Sequence, residues 1–232
     1  MGMAPGAAER SNDATAELFL DCTHDLVAPL NQVSVLIALL IRKNEAVLAE
    51  PDSREILQNI ETSVKRMRNL AEGLKKLTCL LSEPVSAEPV EASDLLARAI
   101  RNCRRRFDAG EFEIASDPLP VIRADDARME FVFQELLENA IKSRAQEPLR
   151  IEVGASAGAG KWIFWVRDNG RGFDGRWSQE VFRMFRRLEP QTVEGSGVGL
   201  TICRRIVELH RGEMWAESEP ARGTTLFFTL PA

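Results

Sequence analysis

The chain has 232 residues, 28% of them charged, and a formal net charge of −5. This length allows one large or two modest domains with hydrophobic cores of their own. Because the chain has no net positive charge, we expect no nucleic-acid partner. No apolar run reaches the roughly 18 to 20 residues of a membrane helix, and residues 1–13 lack the apolar core of a signal peptide. We therefore expect no membrane segment in this chain and a cytoplasmic location.

The cysteines are far apart in the sequence and form no CxxC or cysteine–histidine pattern. This spacing argues against a structural zinc site and is typical of a protein from a reducing compartment. The four residues are Cys22, Cys79, Cys103 and Cys203.

Two apolar stripes of helical spacing occupy the first third of the chain. One runs from Leu18 to Leu40 and the other from Ile56 to Leu81, with a break at Glu50–Ser53 between them. Two long helices joined by a short turn form a hairpin. A hairpin alone cannot cover its apolar stripes, so we expect a second copy to complete a four-helix bundle. The pattern predicts a homodimer through residues 13–83.

A linker rich in proline, serine and glutamate follows the second stripe, and the character of the chain changes there. Ser93 is a candidate N-cap for a helix over about 94–106, and Asp125 for a helix over about 126–144. The predicted segments are a disordered N-terminus (1–12), the helical hairpin (13–83), the linker (84–92) and a second domain (93–232).

The rest of the second domain alternates strands with one more helix. Leu149–Ala155 and Lys161–Arg167 read as a hairpin whose second strand is apolar enough to be buried on both faces. A helix over about 198–210 is followed by strands near 213–218 and 224–230. Helices on one face of a mostly antiparallel sheet predict an α+β sandwich after the helical hairpin.

The segment ELLENAIKSR, residues 135–144, is the first candidate for a ligand site. On a helix, Glu135, Asn139 and Lys142 fall at i, i+4 and i+7 and share one face. A carboxylate, an amide and an ammonium group on one stripe suit a hydrated Mg²⁺ ion and phosphate oxygens. Taken alone, the pattern also describes an ordinary solvated helix face.

Two glycine-rich segments favour a nucleotide pocket. RDNGRGF (167–173) places Asp168 at the end of an apolar strand, where its carboxylate can accept a hydrogen bond from an amine such as that of adenine. GSGVGL (195–200) directly precedes the last predicted helix, whose free N–H groups and dipole attract phosphate.

Five segments in this order resemble the boxes of sensor histidine kinases. They are THDLVAPLN (23–31, H box), FVFQELLENAIKSR (131–144, N box), VRDNGRGF (166–173, G1 box), VFRMFRRL (181–188, F box) and GSGVGLTICRRIVELHRGEMWAES (195–218, G2 box). The residues of these segments are most similar to those of the kinase modules of bacterial phytochromes. The resemblance implies a dimeric helical hairpin followed by a Bergerat-type ATP-binding domain of the GHKL superfamily.

The resemblance also implies roles for single residues in binding ATP and Mg²⁺. Asn139, with Glu135, would ligate Mg²⁺, and Lys142 would contact the phosphates. Asp168 would bind the adenine amine, and Arg187 would lie near the γ-phosphate. The other implied nucleotide-binding residues are Gly170, Gly172, Phe185, Gly195, Gly197, Gly199, Leu200 and either Thr224 or Thr225, with Thr224 preferred.

His24 is the expected phosphate acceptor. It lies about 200° around the helix from both Cys22 and Leu26, two members of the apolar stripe, so it should face solvent. The other histidine, His210, is in the second domain, which argues against a metal site. We expect the imidazole to attack the γ-phosphate of ATP, with Asp25 taking the proton on the other ring nitrogen. The resemblance then implies transfer to an aspartate of a response-regulator receiver domain.

Two neighbours of His24 bear on this chemistry. Pro29 lacks the N–H that would bond the carbonyl of Asp25, so the helix should bend one turn past His24, as a static kink or as a hinge. Relatives that also dephosphorylate their partner carry threonine or asparagine four residues after the histidine. This chain has Ala28 there, so we expect weak or no phosphatase activity.

Two other functions fit part of the sequence. Glu135, four residues before Asn139, has the spacing of the water-activating glutamate of gyrase-like ATPases, which would make the chain an ATPase clamp. A non-enzymatic phosphotransfer or scaffold dimer with a vestigial pocket is the second, because the segment before Gly195 is short and Ser143 stands where relatives carry an aromatic residue. The complete set of pocket residues and the histidine-bearing hairpin favour the kinase.

Overall fold

The computed structural model describes residues 30, 32–33, 35–39, 51–82, 84–107, 112–145, 148–183 and 197–232. The chain divides into two compact units, Met1–Pro84 and Val85–Ala232. In the described ranges, no helix is both long enough and apolar enough to cross a membrane.

The first unit contains the long helix α1, Pro51–Ser82. It begins at a proline, which is favourable at the first helical position because the missing N–H has no partner there. Residues 30, 32–33 and 35–39 are also helical, and Ile37 forms a buried cluster with Leu57 and Val64 of α1. Of the break predicted at Glu50–Ser53, residues 51–53 are helical and form the start of α1, so this part of the prediction is wrong. Most residues predicted for the first helix of the hairpin lie outside the described ranges, so the hairpin and its dimer stay predictions.

The second unit is built on a five-stranded sheet with the order β2–β4–β5–β7–β6. β2 pairs with β4 in parallel, and the other neighbours are antiparallel. A separate two-stranded sheet pairs β1 with β3. The strands are β1 (Glu88–Glu91), β2 (Phe112–Ser116), β3 (Val121–Ala124), β4 (Leu149–Gly158), β5 (Lys161–Asp168), β6 (Met214–Glu219) and β7 (Gly223–Pro231).

Three helices of this unit are α2 (Ala92–Arg106), α3 (Asp126–Lys142) and α4 (Gly199–Leu209). Asp125 caps α3 as predicted, because its side chain accepts a hydrogen bond from the N–H of Arg128 at 3.1 Å. The predicted capping role of Ser93 is wrong. α2 begins at Ala92, so Ser93 lies inside the helix and not before it. The Ser93 hydroxyl instead accepts a hydrogen bond from the N–H of Leu119 at 3.1 Å.

The helices pack on one face of the five-stranded sheet. Phe133 of α3 makes edge contacts with Phe164 of β5 and Phe228 of β7, at ring-centroid distances of 6.1 and 5.6 Å. Those two strand residues stack on each other at 4.8 Å. All three rings are fully buried, and they form the centre of the core. The predicted α+β class is therefore confirmed for this unit.

The opposite face of the sheet is only partly covered. Arg167 of β5 is exposed and Trp165 is half-buried, so the prediction that β5 is buried on both faces is wrong. The ring of Trp165 lies across Gly154 of β4, and Trp215 stacks on Phe227 with centroids 5.0 Å apart. Flat aromatic rings on neighbouring strands thus cover the backbone where no helix does.

Candidate functional site

Asp168, the last residue of β5, is the buried acid of the site. It is 7% exposed. Its Oδ1 accepts hydrogen bonds from the N–H of Gly170 at 2.8 Å and of Thr224 at 3.2 Å. Burial raises the pKa of this carboxyl to about 6, although both N–H groups act to lower it. In the described part of the chain no donor contacts Oδ2, so this oxygen remains an acceptor for a ligand amine.

A hydroxyl pair lies beside this carboxylate. Thr224 is buried, and its hydroxyl shares a hydrogen bond of 2.9 Å with that of Ser218. Ser218 also accepts from the N–H of Phe173 at 2.8 Å and donates to the carbonyl of Gly223 at 2.9 Å. Of the two threonines considered from sequence, Thr224 is therefore the one bonded to Asp168. Ser218 was not singled out, because nothing local distinguishes it from other serines of a strand.

The loop after β5 depends on glycine at position 172. Gly172 has φ +59°, a left-handed conformation that strains other residues. A Cβ there would also overlap the carbonyl oxygen of Glu219. The neighbouring Arg171 donates its N–H to the carbonyl of Ser143 at 2.9 Å. The loop is thereby attached to β6 on one side and to the end of α3 on the other.

On α3, Glu135 and Asn139 present oxygen ligands. The amide nitrogen of Asn139 donates to the carbonyl of Glu135 at 2.8 Å, which leaves Oδ1 as the outward acceptor. The carboxylate of Glu135 lies against the first residue of α4, since a Cβ on Gly199 would overlap its Oε2. Gly199 therefore makes room for this carboxylate as well as for the phosphates that the sequence suggested.

These two side chains fit Mg²⁺ by the chemistry of their oxygens. Mg²⁺ takes one or two protein oxygens and completes its shell with water and phosphate. Within the described residues, no group of three or more His, Cys, Asp or Glu could enclose a metal by itself. Glu135 and Asn139 are both half-buried, which differs from the ordinary solvated helix face considered above.

Lys142 forms an ion pair with Glu138, an acid that the sequence analysis did not single out. Its Nζ lies 2.7 Å from Oε2 of Glu138, whose side chain is 2% exposed. Arg106 of α2 reaches both oxygens of Glu138, at 2.9 and 3.0 Å, and Gln134 donates to it at 3.1 Å. Although burial, the largest influence, raises the pKa of Glu138, the hydrogen bonds of Lys142 and Gln134 bring it below its ordinary value. The i,i+4 spacing to Lys142 was the only sequence signal for this contact.

The N-terminus of α4 is anchored by a buried residue and a hydrogen bond to Phe182. Val198 precedes the helix and is fully buried. Thr201 in the first turn donates to the carbonyl of Phe182 at 2.9 Å, and Phe182 is itself buried. Gly197, with φ +68°, leads the chain into this turn, and Leu200 is half-buried.

The structure thus brings together two groups of the predicted residues. Asp168, Gly170 and Thr224 meet through one carboxylate oxygen, and Glu135 meets Gly199. Five predicted site residues lie outside the described ranges, and their roles stay predictions: His24, Asp25, Phe185, Arg187 and Gly195.

Comparison with known proteins places this site in a family. Residues 124–232 match the family described as histidine kinase-, DNA gyrase B- and HSP90-like ATPase. This part of the chain is therefore similar to that ATPase family. The matched range contains Glu135, Asn139, Asp168 and Thr224 of the site.

The relatives narrow the class to the sensor histidine kinases. Cyanobacterial phytochrome A of Nostoc sp. is 34% identical over 224 residues, which is 96% of this chain and 29% of that protein. The methanogenesis regulatory histidine kinase FilI of Methanothrix harundinacea is 31% identical over 97% of this chain and 26% of its own length. The chain thus spans less than a third of these two relatives.

Solved structures agree with this class. The mycobacterial sensor histidine kinase MprB is 26% identical and has a TM-score of 0.54, covering 62% of this chain and 97% of that one. Full-length ShkA in complex with AMPPNP shares the fold, with a TM-score of 0.65 and 24% identity over 93% of this chain and 45% of that one. The resemblance to sensor histidine kinases inferred from the five boxes is confirmed.

Proposed function

We propose that this chain is the kinase module of a sensor histidine kinase, which phosphorylates His24 with ATP and passes the phosphoryl group to an aspartate of a response-regulator receiver domain. The observation that carries this proposal is the buried Asp168, whose Oδ1 is held by two backbone N–H groups while Oδ2 accepts nothing from the described residues. A fixed acceptor of this kind suits the exocyclic amine of adenine. The ATPase family of residues 124–232 supports the same ligand.

Glu135 and Asn139 are the residues that would hold Mg²⁺, whose role is to neutralise phosphate charge when it is bound. Lys142, Arg187 and the N-terminus of α4 would provide further positive charge around the phosphates. One ring nitrogen of His24 forms the N–P bond as the bond to the ADP oxygen breaks, and Asp25 stabilises the proton on the other nitrogen. Positioning and charge neutralisation therefore carry the catalysis.

The homodimer through residues 13–83 is part of this proposal. In the first unit, several large apolar side chains are between 39% and 58% exposed, a surface that a second copy of the chain would cover. They are Val33, Val35, Leu36, Leu39, Ile56, Ile60 and Met67.

The direct test is incubation of the chain with γ-labelled ATP and Mg²⁺. We expect acid-labile, alkali-stable label on the wild type and none on His24→Ala or Asn139→Ala. Phosphate release without labelling would instead indicate an ATPase clamp, and neither labelling nor nucleotide binding would indicate a scaffold. Addition of a receiver domain should then remove the label from the kinase.

A further inference from the structure

Lys142 does not extend alone toward the phosphate side of α3, because Glu138 holds it. The two residues are one helical turn apart, with Nζ 2.7 Å from Oε2, and only 19% of the Lys142 side chain is exposed. On the helical wheel, Lys142 lies between Glu138, about 40° away, and Asn139, about 60° on the other side. A four-carbon side chain at this position can therefore reach toward either residue.

Glu138 has a second cation that does not depend on Lys142. The guanidinium of Arg106 contacts both carboxylate oxygens, at 2.9 and 3.0 Å, and Gln134 adds a donor at 3.1 Å. Both Arg106 contacts come from the same nitrogen, Nη1, and they are charge-assisted hydrogen bonds, which are stronger than neutral ones. If Lys142 leaves, the buried carboxylate keeps Arg106 as a counter-ion and Gln134 as a further donor. The contact with Lys142 is thus the one that can be exchanged without leaving a buried charge unpaired.

We propose that Glu138 is a positioning residue that holds Lys142 away from the nucleotide. When ATP binds, its phosphates must replace Glu138 as the partner of Lys142, while Arg106 remains bound to Glu138. This inference rests on the proposed function, in which Lys142 contacts phosphate. It adds a residue that competes with the phosphates and therefore lowers the affinity for ATP. Adenosine lacks phosphates, so its affinity does not depend on the ion pair between Glu138 and Lys142.

The test uses calorimetric titration of the full 232-residue chain with ATP and Mg²⁺, and separately with adenosine. In Glu138→Gln the competitor is neutral, so we expect ATP to bind about tenfold more tightly, the lower end of the scale of one charge-assisted hydrogen bond. Adenosine affinity should not change. Glu130→Gln is the matched control, because Glu130 joins α2 to α3 through Arg98 and Asn102 but lies more than three helical turns from Lys142. Its ATP affinity should equal that of the wild type.

A double-mutant cycle with Lys142→Met separates this mechanism from a general loss of negative charge. If Glu138 acts through Lys142, Glu138→Gln has no effect on ATP affinity in the Lys142→Met background. An equal gain in ATP affinity in both backgrounds would contradict the proposal. Weaker ATP binding by Glu138→Gln would also contradict it, because Glu138 would then hold Lys142 in a position that favours phosphate binding. A parallel loss of ATP and adenosine affinity with a lower melting temperature would show a structural role only.

Failure of the proposed function is distinguishable from failure of this inference. A wild-type chain that does not bind ATP overturns both. A wild-type chain that binds ATP but leaves His24 unlabelled overturns the kinase assignment alone, and the cycle still decides the role of Glu138.

Discussion

Asp168 combines its proposed role in ligand binding with a disadvantage for stability. Its pKa is raised from the ordinary 3.8 to about 6, chiefly by burial. The folded chain therefore binds more protons than the unfolded chain between about pH 4 and 6, so the stability that this group contributes is fully present below pH 4 and is lost as the pH rises through 6. Above pH 6 the fold contains a buried, ionised carboxylate, and the burial of this charge lowers the free energy of unfolding.

Asp168→Asn should consequently stabilise the chain while it impairs ligand binding. We expect its free energy of unfolding to exceed that of the wild type by about 1 to 3 kcal/mol at pH 8, with the difference vanishing near pH 4. Urea denaturation at the two pH values measures this. The amide nitrogen would oppose the adenine amine, so adenosine binding should be lost. A variant that is less stable than the wild type at pH 8 would show that the carboxylate's hydrogen bonds outweigh its burial.

Cys103 and Cys203, which are buried in the described part of the chain, should be chemically inert in the folded protein. Cys103 and Cys203 are fully buried. Burial, with Glu138 as a second cause, raises the pKa of Cys103 to about 11, and burial raises that of Cys203 well above its ordinary range. Because the thiolate is the reactive form, neither should react with a disulfide reagent at pH 8 until the second unit unfolds. Mass spectrometry of labelled peptides would identify each site, and labelling of either cysteine in the native chain would contradict the packing of α2 or α4.

At the scale of elements, the site is held by contacts between helix ends. The N–H of Asp125, at the start of α3, donates to Nε2 of His210 at 2.9 Å, and Nδ1 of His210 lies 2.8 Å from the carbonyl of Ile206 in α4. An N–H can only donate, so Nε2 accepts and the ring hydrogen is on Nδ1. His210 thus links the start of α3 to the end of α4, the two helices that contribute Glu135 and Gly199 to the candidate site.

Replacing this link should loosen both helices. His210→Phe keeps an aromatic ring but leaves the Asp125 N–H and the Ile206 carbonyl without this partner, and we expect a loss of about 1 to 3 kcal/mol in unfolding free energy. Equilibrium urea denaturation measures the loss. His210→Gln, whose amide can accept and donate, should recover part of it. Equal stability of the Phe variant and the wild type would mean that water replaces the ring nitrogens.

The sequence predicted some elements well and others not, for physical reasons. The local structure around Asp168 and Gly172 was predictable because a strand end and a tight turn each need particular residue types. β1, β2 and β3 were missed because they are short and only partly buried. Glu138 was missed because its burial depends on Arg106, which is 32 residues away in sequence. Contacts across elements leave little local pattern.

At the scale of the whole molecule, the two units differ in their apolar surfaces. The second unit has its own core around Phe133, Phe164 and Phe228, and among its described large apolar side chains only Val121 is strongly exposed. In the first unit, Ile56 and Ile60 of α1 are 58% and 40% exposed and lie one turn apart. The exposed apolar surface that the proposed dimer would cover is therefore in the first unit.

This difference predicts how the chain assembles. Sedimentation equilibrium should show a dimer for residues 1–232 and a monomer for residues 85–232, which form a compact unit of their own. Two charges on the α1 stripe, Ile56→Glu with Ile60→Glu, should convert the full chain to a monomer because buried unpaired carboxylates oppose association. The same variant should bind ATP like the wild type, since the nucleotide residues belong to the second unit. A full-length variant that remains dimeric would place the interface on another surface, and a dimeric 85–232 fragment would place it on the second unit.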